Sequence, residues 1–222
     1  MKKSLVFISV LLFNTFVFAQ GITTASAYFK TISEYYATLK DYVVDFEIKI
    51  DRQETAGTLS YKAPDLVRLD YSNPEEQVIV FNGDNLTIYL PDAPAVLQQQ
   101  IVSDSTSATT LGSAQGLSLM SRYYSVAYET GQAAEPLEEG SDEMVVKFIL
   151  TRKNSSEAFR YIKISVNEYS KLIRRIEAVT PKGETFLFNF YEYQLNQGLS
   201  DQRFIYDAPS SANTYNNFLF SE

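Results

Sequence analysis

Between Gly57 and Pro91 the chain reads GTLSYKAPDLVRLDYSNPEEQVIVFNGDNLTIYLP, and this stretch limits the possible folds more than any other. Leu59 and Tyr61 alternate with polar neighbours, and Ala63-Pro64-Asp65 breaks the run. Val67, Leu69 and Tyr71 then resume the alternation against Leu66, Arg68 and Asp70. Ser72-Asn73-Pro74 turns the chain into Gln77–Phe81, and Asn82-Gly83 is a strong hairpin signal before Leu86, Ile88 and Leu90. Four strands at this spacing, joined by tight turns, predict an antiparallel meander with one apolar and one wet face. Such a curved sheet needs something to cover its apolar side.

The flanking sequence supplies both a cover and more sheet. Ala25, Phe29, Ile32, Tyr36 and Leu39 recur at helical spacing, predicting an amphipathic helix over Thr24–Lys40 with Thr23 or Thr24 as its cap. Tyr42–Ile50 alternates as a half-buried strand. Beyond Pro91-Asp92-Ala93-Pro94, Val96–Val102 reads as a further strand and the Ser/Thr/Asp-rich run 103–113 as a mobile loop. A short apolar helix is expected over Ala114–Tyr123, using Leu117, Leu119, Met120 and Tyr123. Strands follow at Ser125–Glu129, Met144–Thr151, Ala158–Val166, Leu172–Thr180 and Glu184–Leu195, with an acidic loop over Gly131–Asp142. Phe186, Phe188 and Phe190 give the last of these an aromatic face that Tyr193 would extend. Arg203–Pro209 reads as a short closing strand before a polar tail. The sum is about ten or eleven antiparallel strands and two helices, a mainly β class. A partly closed barrel with helices across its mouth fits, and such folds hold apolar ligands.

Composition removes most enzymatic chemistry. There is no histidine and no cysteine, so the usual general base, thiolate catalysis, disulfides and thiolate metal sites are all absent. No phosphate loop, metal-ligand spacing or G-x-S-x-G elbow occurs, so neither a metal nor a cofactor is expected. Glu75-Glu76 and Glu138-Glu139 are neighbours in turns and loops, which does not make two carboxyls converge on a cleft. Lys2-Lys3, an apolar run over Ser4–Val17 and Val17-Phe18-Ala19 together read as a secretory signal peptide cut before Gln20. With those 19 residues gone, 203 remain and the formal charge moves from −8 to −10 through the loss of two lysines. An exported, soluble, monomeric single domain over residues 20–222 is expected. Its acidic balance argues against a nucleic-acid partner.

The meander also carries a resemblance. The pattern G-x-L-x-Y-K-x-P-x-x-x-R-x-x-Y falls on Gly57, Leu59, Tyr61, Lys62, Pro64, Arg68 and Tyr71. The hairpin V-x-V-x-N-G-x-x-L-x-x-Y-x-P falls on Val78, Val80, Asn82, Gly83, Leu86, Tyr89 and Pro91. Together with the preceding helix, the short mid-chain helix and the closing Phe204-x-Tyr206-x-x-Pro209, this resembles the LolA-type periplasmic carriers of outer-membrane lipoproteins over essentially the whole mature chain. The resemblance implies an unclosed antiparallel β-barrel with a helical lid, and a carrier rather than an enzyme. Such a carrier takes acylated lipoproteins from an inner-membrane ABC-type release complex and passes them to an outer-membrane acceptor. Members of the family commonly place an arginine before the proline to latch the lid. This chain has Ala63 there, which leaves Lys62 and Arg68 as candidate latches.

Under that reading the acyl chains would meet the helix stripe Phe29, Ile32, Tyr36 and Leu39, with Leu117 and Met120 of the second helix. The strand faces would contribute Phe46, Ile48, Leu59, Tyr61, Val67, Leu69, Tyr71, Val78, Val80, Leu86, Ile88, Phe186, Phe188 and Phe190. Ordinary core packing predicts the same stripes, and the two readings differ in whether a cavity lies beneath. Two short helices are hard pressed to fill a barrel this wide, so a cavity is expected. A charge placed at Leu69 or Ile32 should then reduce cargo retention without unfolding the protein. From Lys147 to Lys182 nine basic residues stand against three acids. That run is either a docking face for an acidic partner or anionic head groups, or the solvated outer side of strands. Two rival functions share the sequence features: a lipid- or lipoprotein-sensing module of the same fold, and an exported enzyme acting on lipid or polysaccharide.

Overall fold

The computed structural model of the chain describes residues 23–101 and 113–218. The segment expected to be a signal peptide and nearly all of the Ser/Thr-rich loop lie outside these residues. Helix α1 (Ala25–Thr38) is capped by the Thr24 hydroxyl, which accepts from the Ala27 N–H. The meander follows as β1 (Asp41–Ile50), β2 (Gln53–Lys62), β3 (Leu66–Asn73), β4 (Glu75–Phe81), β5 (Asn85–Leu90) and β6 (Ala95–Gln100). Helix α2 (Ala114–Tyr123) is capped by Ser113, and β7 (Tyr124–Tyr128) runs on from it directly. The remaining strands are β8 (Glu135–Pro136), β9 (Met144–Arg152), β10 (Tyr161–Asn167), β11 (Ile173–Val179), β12 (Thr185–Leu195) and β13 (Asn213–Asn216).

All strands join one sheet in the order β13-β6-β5-β4-β3-β2-β1-β12-β11-β10-β9-β7, with β8 paired to β9. The described residues thus form an open, curled, almost wholly antiparallel sheet with two α-helices, as the strand pattern and turn chemistry implied. Two details depart from the sequence reading. Arg203–Pro209 is not a strand; a 3₁₀ turn spans Asp201–Phe204. The final strand instead lies farther on, at β13, and it runs parallel to β6.

The two helices occupy only part of the concave face. α1 packs on α2 and β7, and its Phe29 ring meets the Phe148 ring of β9 edge-on at 5.6 Å. Phe29, Ile32, Leu117, Phe148, Leu150 and Ile164 have no exposed surface at all. The concave face of this half of the sheet, β7 and β9–β11, is covered by the helices, as amphipathic helices on an apolar sheet face should produce. The half made by β1–β5 and β12 carries no helix of the described residues. Its inward faces look at one another.

Two local irregularities set which side chains point inward. At the β2 bulge, Gly57 lies so close to β3 that an added Cβ would stand 2.2 Å from the Asp70 carbonyl oxygen. Only glycine fits there, and the close approach lets the Phe46 and Tyr71 rings meet at 5.2 Å. In β12 the register against β1 shifts between Val43 and Asp45, and Glu192 adopts φ 49°. This bulge carries the inward face from the even positions Phe186, Phe188 and Phe190 to the odd position Tyr193.

Candidate functional site

The open half encloses an apolar cavity of about 190 Å³. Tyr42, Val44, Phe46 and Ile48 of β1 form its floor, flanked by Leu59 and Tyr61 of β2 and by Val67 and Leu69 of β3. Ile79 and Phe81 of β4 and Phe188, Phe190 and Tyr193 of β12 close the sides. Ile173 and Ile176 of β11 and the α2-capping Ser113 complete the lining. No carboxylate, lysine or arginine is among these residues, so only hydroxyl groups relieve the hydrocarbon character.

Of the positions proposed from sequence, Phe46, Ile48, Leu59, Tyr61, Val67, Leu69, Phe188 and Phe190 line the cavity. Tyr71, Leu86, Ile88 and Phe186 continue the same inner face beyond it, opposite Gly57, Phe81, Ile79 and Ile50 in the sheet register. The helix residues Phe29, Ile32, Leu39, Leu117 and Met120 are not in its lining but are buried in the core, and Tyr36 is buried at the boundary, against the lining residues Tyr42 and Ile173. Val78 and Val80 point the other way. They join Tyr89, Val96 and Phe204 in a second, smaller core on the outer face of the sheet. The reason is legible only in three dimensions. Val78-Ile79-Val80-Phe81 is apolar at every position, and pairing of Val67 with Phe81 and Leu69 with Ile79 selects the odd residues for the cavity. Tyr42, Val44, Ile79, Phe81, Ser113, Ile173, Ile176 and Tyr193 are lining residues that sequence reasoning did not single out, although Val44 and Tyr193 lie on faces it identified.

The proposed latches Lys62 and Arg68 also lie on the outer face, away from α1. Lys62 donates to the Leu199 carbonyl at 2.8 Å and pairs with the Asp201 carboxylate. Arg68 donates to the Arg203 carbonyl at 3.0 Å while its guanidinium engages Asp70 bidentately. Arg203 in turn donates to Ser60 Oγ at 2.7 Å. Upstream, the Asp41 carboxylate accepts from the Gln197 and Gly198 N–H groups at 2.6 and 3.0 Å. These groups strap residues 197–206 across the back of β1–β5, where Phe204 caps the second core with 1% exposure. Alternation alone puts Lys62 and Arg68 on the outer face, because Tyr61, Val67 and Leu69 face inward and their neighbours cannot.

Near its C-terminal end, α1 is also tied to the sheet by a tyrosine. The Tyr36 hydroxyl accepts from the Ile173 N–H at 2.9 Å, and the Tyr193 hydroxyl donates to the Ile173 carbonyl, also at 2.9 Å. The Tyr42 ring packs between Tyr36, Tyr61 and Tyr193, with centroids 6.3, 5.1 and 5.8 Å away. Burial pushes the Tyr36 hydroxyl up to about 12. Burial, reinforced by neighbouring tyrosines, holds Tyr42 and Tyr193 well above the usual 10.0. All three therefore remain neutral hydrogen-bonding groups at any physiological pH.

The basic run behaves as a solvated outer face with its own acidic cover. Lys147, Lys163, Arg174 and Arg175 pair with Glu135, Glu129, Glu143 and Glu138. The acidic loop between β7 and β9 thus neutralises four of the nine basic residues within the chain, which weakens the docking-face reading.

Comparison with known proteins places this architecture. The outer-membrane lipoprotein carrier protein of Pseudomonas paraeruginosa is 27% identical over 157 residues, 71% of this chain and 69% of that protein. The Pseudomonas putida protein of the same name is 25% identical over 160 residues, covering 72% of this chain and 71% of that one. Among solved structures, an uncharacterized conserved protein from Thermus thermophilus superposes with a TM-score of 0.57 at 13% identity, over 85% of this chain and 97% of that one. MucB, in the MucA/MucB complex of Pseudomonas aeruginosa, superposes with a TM-score of 0.52 at 12% identity, over 83% of this chain and 61% of that one. At such identities these two structures establish a shared fold alone. The family model described as outer membrane lipoprotein carrier protein LolA matches residues 43–207, which span both the cavity-forming strands and the strap behind them. The chain belongs to the LolA family.

Proposed function

We propose that the protein is a periplasmic carrier that shelters the acyl chains of lipoproteins between an inner-membrane release complex and an outer-membrane acceptor. The observation carrying this reading is the cavity itself: a hydrocarbon-lined space with no ionised group among its described lining residues, in a family of lipoprotein carriers. Acyl chains gain about 0.8 kcal/mol per buried CH₂, so such a space binds them without close shape complementarity. At about 190 Å³ it is smaller than the roughly 300–1,000 Å³ of common ligand pockets. Full-length chains therefore need the cover to yield, and cargo contacts replace those of α1 with the sheet. An exported enzyme is disfavoured, because the described lining residues offer no acid, base or activated nucleophile.

A transfer assay tests the carrier. Spheroplasts holding newly made lipoprotein are incubated with the purified mature protein. A soluble one-to-one complex that later delivers cargo to outer-membrane vesicles is expected. Release without delivery would favour the lipid- or lipoprotein-sensing module of the same fold. No release in the presence of the cognate release complex, with the protein folded, would refute the carrier.

A further inference from the structure

The Ile173 backbone is an unusual point in the sheet. Pairing between β11 and β12 covers Arg175–Val179, and the β12 bulge around Glu192 ends it before Ile173. The Ile173 N–H and C=O therefore face a gap where a strand partner would otherwise stand. Two tyrosine hydroxyls fill it, one from the lid helix and one from the sheet. The gap opens onto the cavity, since Ile173 and Tyr193 are both in its lining. It also lies at a rim of the barrel. Ile173 directly follows the β10–β11 turn, on the same side as the β2–β3 turn at 63–65, the β4–β5 turn at 82–84 and the end of α1.

We infer that the Ile173 N–H is a recognition point for a carbonyl oxygen of the cargo's acyl ester or amide, occupied in the empty protein by the Tyr36 hydroxyl. The inference rests on the acyl-binding reading above. If the end of α1 yields to admit a chain, Tyr36 leaves with it and Ile173 loses its acceptor. A buried donor left unpaired costs free energy, so a ligand that supplies an acceptor there is favoured over one that does not. An acyl ester presents its carbonyl at the head of the chain, next to the part that stays in water. The rim is where that atom would come to rest, with the methylenes running inward along Tyr42, Phe46 and Ile48. Tyr193, already hydrogen-bonded to the Ile173 carbonyl, holds this backbone in place while the acceptor changes.

The test compares a monoacylglycerol with its alkyl-ether analogue of equal chain length, using the mature protein labelled with ¹⁵N. Each ligand displaces a fluorescent fatty-chain probe, and exchange of the Ile173 amide is followed by NMR. The ester should bind about 5- to 10-fold more tightly than the ether, the worth of one net hydrogen bond. The Ile173 amide should stay protected with the ester and exchange faster with the ether. In Tyr36→Phe, which keeps the ring, exchange at Ile173 should be fast in the empty protein and slowed by the ester alone. Equal affinities with equal Ile173 protection would overturn the carbonyl site while leaving acyl binding intact. A tighter ester with no response at Ile173 would also overturn it, since the carbonyl is then read elsewhere. Failure of both ligands to displace the probe would remove the acyl-binding reading and this site together.

Discussion

The two halves of the concave face are built from the same alternating strands, yet one is solid and the other hollow. Over β7 and β9–β11, α1 and α2 press Phe29, Ile32, Leu117 and Met120 onto Phe148, Leu150 and Ile164, leaving little exposed surface. Over β1–β5 and β12, residues of the same chemical type such as Leu59, Leu69, Ile79 and Phe188 are only partly buried and border empty space. The difference lies in the partner, since a sheet face becomes core only where another element covers it. Close packing and open space therefore fall in different regions, joined at the Tyr36–Ile173–Tyr193 cluster.

Charge substitutions should separate the halves most sharply. Ile32→Glu buries a carboxylate in a site with no exposed surface and should unfold the domain or cost more than about 4 kcal/mol. This revises the expectation that Ile32, like Leu69, would tolerate a charge. Phe148→Ala, also in the plugged half, should cost about 3–5 kcal/mol by chemical denaturation. Leu69→Ala should cost only about 1 kcal/mol, because the side chain is already half-buried against a void. Equal losses at Phe148 and Leu69 would abolish the distinction.

Alkaline titration examines the seam between the halves. Tyr36 is raised to about 12 from its ordinary 10.0, so the folded state holds its proton more tightly than the unfolded chain does. Its contribution is fully present below pH 10 and is lost as the pH rises towards 12, amounting to about 3 kcal/mol for this group. Tyr42 and Tyr193, raised in the same direction, steepen the loss. Urea midpoints flat to pH 9 and falling above 10 are expected, with a shallower fall in Tyr36→Phe.

The strap is next in size. Arg68→Ala removes the hydrogen bond to the Arg203 carbonyl and should cost about 1–3 kcal/mol. Hydrogen exchange should rise over 197–206 while binding of an apolar probe to the cavity is unchanged. A change in probe binding instead would reinstate Arg68 as part of the lid mechanism. Leu69→Glu should have the smallest stability effect of the series, within about 1 kcal/mol, and yet lower acyl-probe affinity several-fold, because its side chain can reach solvent only through the ligand's space.

Much of this was legible in the sequence because it depends on local periodicity. The α1 stripe, the Thr24 cap, the inward face of β1 and the aromatic face of β12 each follow from spacing and side-chain type. The turn at Asn82-Gly83 is local too, with Gly83 at φ 96°. β4 was not legible, because four consecutive apolar residues carry no alternation to read. The strap was not legible either. Arg203 and Phe204 look like strand residues until Ser60, Asp70, Val78 and Val80, more than a hundred positions away, give them partners.

By itself the sequence determined strands β1–β7 and β9–β12, both helices, the absence of histidine and cysteine chemistry, and the apolar face of each alternating strand. Those properties are set by neighbours within a few residues. The tertiary structure decided which half of the sheet the helices fill, which face of β4 meets the cavity, and that Lys62 and Arg68 hold a strap rather than a lid. It also brought Tyr36, Ile173 and Tyr193 to one point. Each of these depends on sheet register and on covering elements far away in the chain, and a local pattern holds no record of either.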